Sequence, residues 1–401
     1  MTGARDHEAG ASYYPALDGL RGVAILLVLL LHFGQFGHGL PAPQVLADRW
    51  FLAIVRTGWM GVDLFFVLSG FLITGILLDT KGSRHYLRQF YARRVLRIFP
   101  LYYGALALFL ILLPMLLPDD RVLRDLSADS VWYWTYLYNV KVAAAGFTSS
   151  SALGHFWSLA VEEQFYLIWP IVVLYLARRH LFGACWAAVV AALFCRIGLR
   201  LGGYEVAATV LTPARMDALA IGGLIALAVR GPHGLEAIAR WAAPVAGVLA
   251  LLLVGLLASN TALTSVGYTV VALLCGAILI HVLTASPSGV TSKLFASPTL
   301  RFFGRYSYAL YVLHHPLLWF RPPFSVRFVP TVFGSHLPAY ILWLAIAIGA
   351  CVAMALLSWH VVEKQFLKLK KLFPYAYKKT EAGLLALPSA SSLPPVAPTM
   401  S

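Results

Sequence analysis

Ten segments of about 17 to 25 mostly apolar residues recur along the 401-residue chain. A helix of that length crosses the hydrocarbon core of a bilayer, and the polar intervals between the segments are too short to fold as separate domains. Hydrophobic residues make up 60% of the chain and charged residues only 12%, against about 25% charged residues in an average soluble domain. The sequence therefore predicts an all-α, polytopic membrane bundle of about ten transmembrane helices, near residues 17–34, 58–78, 98–117, 156–176, 182–199, 213–229, 241–259, 265–284, 304–320 and 338–361.

The chain has a formal net charge of +14, and its basic residues lie in short clusters between the apolar segments. Such clusters are typical of the cytoplasmic loops of membrane proteins, so we expect contact with membrane lipid and no nucleic-acid partner. With ten spans and the N-terminus inside, the inner segments hold nineteen of the 31 Lys and Arg residues and the outer segments hold eight. This asymmetry predicts that both termini are cytoplasmic.

The stretch 126–146, which contains the sequence VWYWTYLYNV, has two interpretations. Aromatic residues gather at the level of the lipid headgroups, which favours an interfacial segment in an outer loop. The alternative is an eleventh span, which would reverse the orientation of everything that follows it.

The organisation along the chain is that of one domain with two flanking segments. We expect a cytoplasmic N-terminal segment at 1–14, a transmembrane domain at 15–366, and a basic and disordered cytoplasmic tail at 367–401. No metal site or disulfide framework is predicted, because all the cysteines lie in apolar segments without metal-ligand spacing: Cys185, Cys195, Cys275 and Cys351.

The first apolar segment, DGLRGVAILLVLLLH, carries an arginine and a histidine within its span. Ionisable groups in a membrane span cost roughly 2.5–3.5 kcal/mol each, so each of them needs a partner or a function. Arg21 and His32 are eleven residues apart, which places them on one helix face and separates them by roughly 16 Å along the axis. Arg21 is expected near the cytoplasmic end and His32 in the outer half.

Two further segments enter from the outer side and bring acidic residues to the depth of His32. The sequence GVDLFFVLSGFLIT places Asp63 there, and FWSLAVEEQFYLIWP places Glu162, Glu163 and Tyr166 at a similar level. A buried histidine beside a carboxylate is the usual construction of a general base. A lone histidine in a span is more often a packing residue, but the shared depth favours His32, Asp63 and the two glutamates as catalytic candidates.

Basic residues cluster where the third segment begins, in the sequence RRVLRIFP. Arg93, Arg94 and Arg97 lie within about one helical turn, and guanidinium groups bind phosphates through several planar hydrogen bonds. The general excess of basic residues on the cytoplasmic side would explain the charge but not this clustering. In the ninth segment, SYALYVLHHPLLW, Tyr311 and His314 are further candidates for contacting a substrate.

In their order and spacing, these motifs resemble the membrane-bound acyltransferase 3 family, which acylates sugars, polysaccharides and macrolides in bacteria. The resemblance covers about residues 14–366. It is carried by ALDGLRGVAILLVLLLH, GVDLFFVLSGFLIT, RRVLRIFPLYY, FWSLAVEEQFYLIWP, SYALYVLHHP and HVVEKQF.

The resemblance implies transfer of an acyl group, commonly acetyl from acetyl-CoA, to a hydroxyl of a carbohydrate-type acceptor. Acyl-CoA would be a co-substrate rather than a tightly bound cofactor, and the protein would lie in the inner (plasma) membrane. The family's essential histidine falls on His32 and its motif arginine on Arg21. The family often has an aromatic residue where this chain has His315, so either His314 or His315 is the counterpart of the late histidine. Some relatives carry a fused periplasmic hydrolase-like domain; this chain stops short of one, so we expect the bundle either to complete the transfer alone or to use a separate periplasmic protein.

These residues suggest a division of labour across the membrane. We expect the phosphates of acyl-CoA at Arg93, Arg94 and Arg97, with Arg21 deeper, and the acyl arm directed toward His32. The histidine either deprotonates the acceptor hydroxyl or is transiently acylated, while Glu162, Glu163 or Asp63 orients it and Tyr166, Tyr311 and His314 contact the substrate. The alternative function is a transporter or flippase, which would predict internal repeats and paired broken helices.

Overall fold

The computed structural model describes residues 14–34, 45–147, 152–232, 234–257, 263–319 and 331–376. Residues 1–13 of the predicted N-terminal segment and 377–401 of the predicted tail lie outside the described residues. The described part is helical, and its only β-type pairing is an isolated bridge between Val332 and Ser335. The helices of the first half are α1 (Pro15–Gly34), α2 (Leu46–Arg56), α3 (Met60–Thr80), α4 (Tyr86–Ala107), α5 (Leu113–Leu116), α6 (Arg121–Ala128), α7 (Ser130–Trp134), α8 (Tyr138–Ala145) and α9 (Phe156–Tyr175).

The second half continues the bundle and ends in short helical turns. Its helices are α10 (Arg178–Leu201), α11 (Glu205–Val210), α12 (Thr212–Val229), α13 (Glu236–Leu257), α14 (Tyr268–Thr284), α15 (Val290–Phe295), α16 (Pro298–Arg305), α17 (Ser307–Leu317), α18 (Leu337–Ser358) and α19 (Lys364–Lys368). Short π-helical or 3₁₀ turns join several of them, at Thr57–Trp59, Leu108–Leu112, Leu263–Gly267, Trp359–Glu363 and Leu369–Leu372.

In the described part of the chain, nine helical segments are long and apolar enough to cross a membrane. They are Pro15–Gly34, Leu46–Thr80, Tyr86–Leu116, Phe156–Tyr175, Arg178–Leu201, Glu205–Val229, Ile238–Leu257, Leu263–Thr284 and Leu337–Leu372. The prediction of a polytopic, all-α membrane bundle is confirmed. The cytoplasmic location of both termini stays a prediction.

The predicted span near 304–320 is divided in two. Helix α16 ends at Arg305, and α17 covers only the 11 residues Ser307–Leu317, a length of about 16 Å that crosses roughly half of a bilayer core. The backbone of α16 lies directly against α1, since a Cβ atom at Gly304 would be 1.7 Å from the carbonyl oxygen of Asp18. This contact fixes the course of α16, and α17 begins again as a separate short helix.

The aromatic stretch 126–146 forms short helices rather than a span. The helices α6, α7 and α8 have 8, 5 and 8 residues, each far too short to cross a bilayer. Tyr136, between α7 and α8, has a positive φ of 54° that interrupts the helix. The rings of Tyr133 and Tyr138 stack at 4.1 Å between centroids across this turn. The segment is therefore a folded connection between α5 and α9.

Helices α3 and α12 form the centre of the bundle, where glycines bring their backbones together. A Cβ atom at Gly70 would lie 1.9 Å from the carbonyl oxygen of Leu219, and one at Gly222 would lie 2.1 Å from that of Val67. Small residues at helix interfaces permit such close packing in membranes. In contrast, α13 is mostly exposed and carries large apolar side chains such as Leu251 on its surface, as expected for a lipid-facing helix.

The chain after α18 returns to the start of α4. Arg93 Nη1 donates hydrogen bonds to the carbonyl oxygens of Lys370 and Phe373, at N···O distances of 3.2 and 3.0 Å. The guanidinium of Arg93 also lies 4.5 Å from the ring centroid of Tyr375. Residues 367–376, the first part of the predicted tail, are therefore folded against α4.

Candidate active site

A cavity of about 330 Å³ lies among α1, α3, α4, α9 and α17. Along the α9 wall, Ser158, Glu162 and Tyr166 follow one another at four-residue steps, and Arg21, Arg94 and Arg97 lie within electrostatic reach of Tyr166. The polar lining residues are Arg21, Ser69, Arg93, Arg94, Arg97, Ser158, Glu162, Glu163, Tyr166, Ser307, Tyr308, Tyr311, Lys370 and Tyr375. The cavity thus joins a basic end to a neutral, hydroxyl-bearing end.

The basic end brings together all four arginines that the sequence singles out. Arg93, Arg94 and Arg97 come from the first half of α4, and Arg21 comes from α1. The guanidinium of Arg94 lies 5.7 Å from the ring centroid of Tyr166, and its Nε atom is buried without a hydrogen-bond partner. Several guanidiniums around one cavity make a strong site for anions such as phosphate groups.

The carboxylates of α9 lie beside these arginines. Glu162 and Glu163 both line the cavity, and the charges that act on Glu162 are those of Arg21 and Arg94. Next to them, the hydroxyls of Ser69 and Tyr166 are hydrogen-bonded to each other. Glu162 is therefore within electrostatic reach of Arg21 and Arg94, and Glu163 is within reach of Arg94; among the described residues neither glutamate contacts His32.

Two hydroxyl groups lie at the Ser158 end of the cavity. The Ser158 and Tyr311 hydroxyls are hydrogen-bonded to each other. The carbonyl oxygen of His155 lies within hydrogen-bond distance of both, at 3.1 Å from Ser158 Oγ and 3.3 Å from Tyr311 Oη. Because each hydroxyl has only one proton, one of the pair donates to the other while the remaining proton serves the carbonyl. The pair separates the cavity from a group of histidines.

His32 belongs to that group of histidines and is not among the residues that line the cavity. Its Nδ1 atom lies 2.9 Å from the carbonyl oxygen of Val28, and since a carbonyl only accepts, Nδ1 carries the proton and Nε2 has the free lone pair. The ring centroid of His32 is 4.8 Å from that of His314 and 5.2 Å from that of His315. The ring of His155 is 4.7 and 5.0 Å from the same two rings.

These four imidazoles are in close contact, and we call them the histidine cluster (His32, His155, His314 and His315). In the described chain, no group of three or more His, Cys, Asp or Glu side chains could hold a metal ion. The cluster lies next to the Ser158–Tyr311 pair, since the ring centroid of Tyr311 is 5.3 Å from that of His155 and 5.5 Å from that of His314.

Asp63 lies in a different part of the bundle and meets Arg215 of α12, not His32. Arg215 Nη2 donates to Asp63 Oδ1 at 2.7 Å, and both side chains are almost completely buried. The Arg215 guanidinium lies 4.0 Å from the ring centroid of Tyr268. A second buried pair, Arg196 and Asp217 at 2.7 Å, lies in the same region. Asp63 is therefore part of an ion-pair network that joins α3 to α12.

A sequence profile described as an acyltransferase domain matches residues 14–363, which is most of the chain. The chain belongs to the acyltransferase 3 family. The expected resemblance is confirmed, and with its apolar helices this family member is a multi-pass membrane protein.

The sequences similar to this acyltransferase 3 protein include proteins named as O-acetyltransferases. It is 30% identical over 377 residues to YrhL of Bacillus subtilis (strain 168), which is named as a candidate peptidoglycan O-acetyltransferase; the match covers 88% of this chain and 54% of YrhL. It is 27% identical over 342 residues to the peptidoglycan O-acetyltransferase OatA of Listeria monocytogenes serovar 1/2a, covering 78% of this chain and 50% of OatA. SACOL0978 of Staphylococcus aureus (strain COL), named as a candidate O-acetyltransferase, is 26% identical over 379 residues, with 89% and 58% covered.

The chain spans about half the length of the curated relatives that it matches. No solved structure shows a significant match to this acyltransferase 3 chain.

Two residues of the site, His155 and Ser158, are not among the candidates that the sequence suggested. His155, at the N-cap of α9, is followed by Ser158, Glu162 and Tyr166 at steps of three, four and four residues, so all four lie on one helical face. Counting back from Glu162 by the helical repeat of three to four residues would have identified Ser158 and His155 as candidates. The contact between this stripe and α17 depends on how the helices pack, and the sequence does not give it.

Proposed function

We propose that this protein is an integral membrane O-acyltransferase, and that it moves an acyl group, commonly acetyl, from acyl-CoA to a hydroxyl of a cell-envelope glycan. The observation that carries the proposal is the cavity that leads from four arginines to the Ser158–Tyr311 pair, with His32 just beyond. Membership of the acyltransferase 3 family supports the reaction class. The peptidoglycan named for two of the relatives supports a glycan as acceptor.

The basic end of the cavity suits the phosphates of acyl-CoA. Arg94 and Arg97 face the cavity from one side of α4, and Arg21 faces it from α1. Each charge-assisted hydrogen bond to a phosphate contributes about 1.5–3 kcal/mol. We place this end on the cytoplasmic side of the inner membrane, where acyl-CoA is available.

The length of α1 fits the donor molecule. Arg21 and His32 are eleven residues apart on one face, roughly 16 Å along the axis, which an extended pantetheine arm can span. With phosphates at the arginines, the thioester would lie near Ser158 and Tyr311, where a hydroxyl can donate to its carbonyl oxygen.

His32 is the best-placed group for the chemical step. Its Nε2 lone pair is available, because Nδ1 is held by the Val28 carbonyl. As a general base it takes the proton of the acceptor hydroxyl, the acceptor oxygen bonds to the acyl carbon, and the carbon–sulfur bond breaks to release the CoA thiolate. As a nucleophile it carries the acyl group first and passes it to the acceptor in a second step.

The test uses the full chain in proteoliposomes with acetyl-CoA labelled in its acetyl group and peptidoglycan fragments as acceptor. Released CoA and labelled glycan are measured together. We expect both from the native protein and neither from His32→Ala. Normal transfer by His32→Ala would refute the assignment of this residue, and passage of material across the membrane with the thioester intact would instead indicate a transporter.

The KM for acyl-CoA tests separately whether the arginines of the cavity bind the donor. Replacing Arg94 or Arg97 with Ala removes one charged contact, so we expect KM to rise about tenfold with a smaller change in kcat. The matched control is Arg179→Ala, an exposed arginine at the start of α10. Unchanged KM in both cavity variants would contradict the phosphate-binding role.

A further inference from the structure

The histidine cluster contains buried ring nitrogens that have no partner. Both ring nitrogens of His155 and the Nε2 atom of His314 are buried without a hydrogen-bond partner. The Nδ1 atom of His314 lies 2.6 Å from the carbonyl oxygen of Tyr311, so this nitrogen carries the proton and Nε2 has a free lone pair. Proton-accepting positions therefore lie next to His32 in a water-poor environment.

The rings and the phenol of the cluster come from three elements. His32 comes from α1, His155 from the turn before α9, and Tyr311, His314 and His315 come from α17. In the described part of the chain, no carboxylate or guanidinium forms an ion pair with the rings of His32, His155 or His314. The cluster is thus composed of imidazoles and one phenol.

This composition changes how a proton taken up by His32 can be accommodated. An isolated imidazolium in a buried site loses its hydration and has no anion to compensate for it. A second imidazole is a matched proton acceptor, because the two groups have the same intrinsic affinity for a proton. His314 contacts both His32 and His155, so it is the natural link between them.

We propose that His314 and His155 serve as proton-accepting partners of His32, so that the cluster rather than a carboxylate carries the proton during acyl transfer. This inference rests on the proposed acyltransferase function. The acceptor hydroxyl gives its proton to His32 Nε2, its oxygen bonds to the acyl carbon, and the carbon–sulfur bond breaks with its electron pair on the CoA thiolate. The proton moves from His32 to His314 and His155 and finally to the thiolate or water. His314 and His155 act through His32 and are positioning residues, not catalytic ones.

His314→Asn is the informative variant. The asparagine amide can still donate to the Tyr311 carbonyl in place of Nδ1, but it lacks the Nε2 acceptor. We expect kcat to fall about a hundredfold, within the range of acid–base contributions, with KM for acetyl-CoA unchanged. His155→Asn should lose about tenfold because it is one step further from His32. The control is His281→Gln on α14, whose Nε2 atom is 3.2 Å from Thr291 Oγ1 and whose ring is remote from the cluster.

The pH dependence of kcat separates a proton role from a structural one. In both cluster variants we expect the lost activity to return partly as pH rises, because hydroxide can then remove the proton that the missing imidazole accepted. Added imidazole should restore His314→Gly, whereas pyrrole, which has a similar shape but no basic nitrogen, should not. Wild-type kcat and pH profile in His314→Asn and His155→Asn would overturn the proposal, as would equal rescue by pyrrole.

Failure of this inference is distinguishable from failure of the proposed function. If native protein transfers acetyl and His32→Ala does not, while the two cluster variants behave like the native protein, only the relay is wrong. If native protein shows no transfer, both fail. Acetyl-CoA binding by each purified variant, measured by calorimetry, identifies variants that have lost their fold; if His314→Asn is lost in this way, His155→Asn and His314→Gln decide the matter.

Discussion

Two ion pairs join the same two helices at different depths and allow a matched test of what Asp63 does. Asp63 of α3 pairs with Arg215 of α12 at 2.7 Å, with side chains 1% and 2% exposed. Asp79 of α3 pairs with Arg230 at the end of α12 at 2.6 Å, with side chains 20% and 18% exposed. Both pairs join an aspartate to an arginine, but they differ in burial and in geometry, since Arg230 binds both oxygens of Asp79 at 2.6 Å whereas Arg215 binds only one oxygen of Asp63.

The perturbation is Asp63→Asn, which keeps the side-chain shape and removes the charge. Breaking a buried ion pair by neutralising one partner typically costs about 3–5 kcal/mol, because the other charge remains buried without compensation. Asp217 also interacts electrostatically with Arg215 and compensates in part, which places the expected loss near the lower limit, about 3 kcal/mol. Asp79→Asn should cost about 1 kcal/mol, since water solvates Arg230 once the pair is broken.

The assay is thermal or denaturant unfolding of the purified protein in detergent, followed by acyl transfer in proteoliposomes. A double variant, Asp63→Leu with Arg215→Met, removes both charges and should regain most of the stability that Asp63→Asn loses. If Asp63 only supports the fold, activity will return with stability. A stable but inactive double variant would show that Asp63 takes part in catalysis, and equal stability of Asp63→Asn and Asp79→Asn would refute the argument from burial.

Two further predictions concern helix packing and the closed end of the cavity. Gly222→Val should lower the unfolding free energy by about 1–3 kcal/mol or more, because its Cβ would lie 2.1 Å from the Val67 carbonyl oxygen, whereas Gly247→Val on α13 has open space; thermal unfolding of both variants checks this. Ser158→Ala should lower kcat several-fold with little change in KM, because the Tyr311 hydroxyl loses the partner that orients it. Adding Tyr311→Phe to it should cost much less than Tyr311→Phe alone, since the two hydroxyls act as a unit; steady-state kinetics of the three variants measures this.

The fold could be predicted from the sequence where apolar length decides the structure. A membrane offers no hydrogen bonds to the backbone, so a run such as Pro15–Gly34 must be helical, whatever its neighbours are. The same argument fails near 304–320, because apolar length does not reveal the break at Tyr306 between α16 and α17. That break depends on the contact between Gly304 and the α1 backbone, which is a property of the packed bundle.

The site could be predicted in part, for a related physical reason. Arg93, Arg94 and Arg97 share a helical segment, so their spacing alone predicts that they act together. The expected meeting of Asp63 with His32 depended on equal depth in the membrane, and depth does not specify the direction in which a side chain points around the bundle. Rotation of α3 places Asp63 against α12.

Helices α1 and α9 share one further feature. Each has two side chains of the site eleven residues apart, and the two pairs run in opposite directions along the chain. Arg21 and His32 are eleven residues apart on α1, and Tyr166 lies eleven residues after His155 along α9. Arg21 lies within electrostatic reach of Tyr166 at one end, while His32 and His155 both contact the same histidines at the other. Because each spacing is three helical turns and about 20°, each helix presents one face over roughly 16 Å, from the cavity at Arg21 and Tyr166 to the histidine cluster at His32 and His155. Inserting or deleting one residue between Arg21 and His32 would rotate the histidine by about 100° out of the cluster, whereas a conservative change of the aliphatic residues between them would not. The length of this apolar run, more than its composition, therefore sets the geometry of the reaction centre.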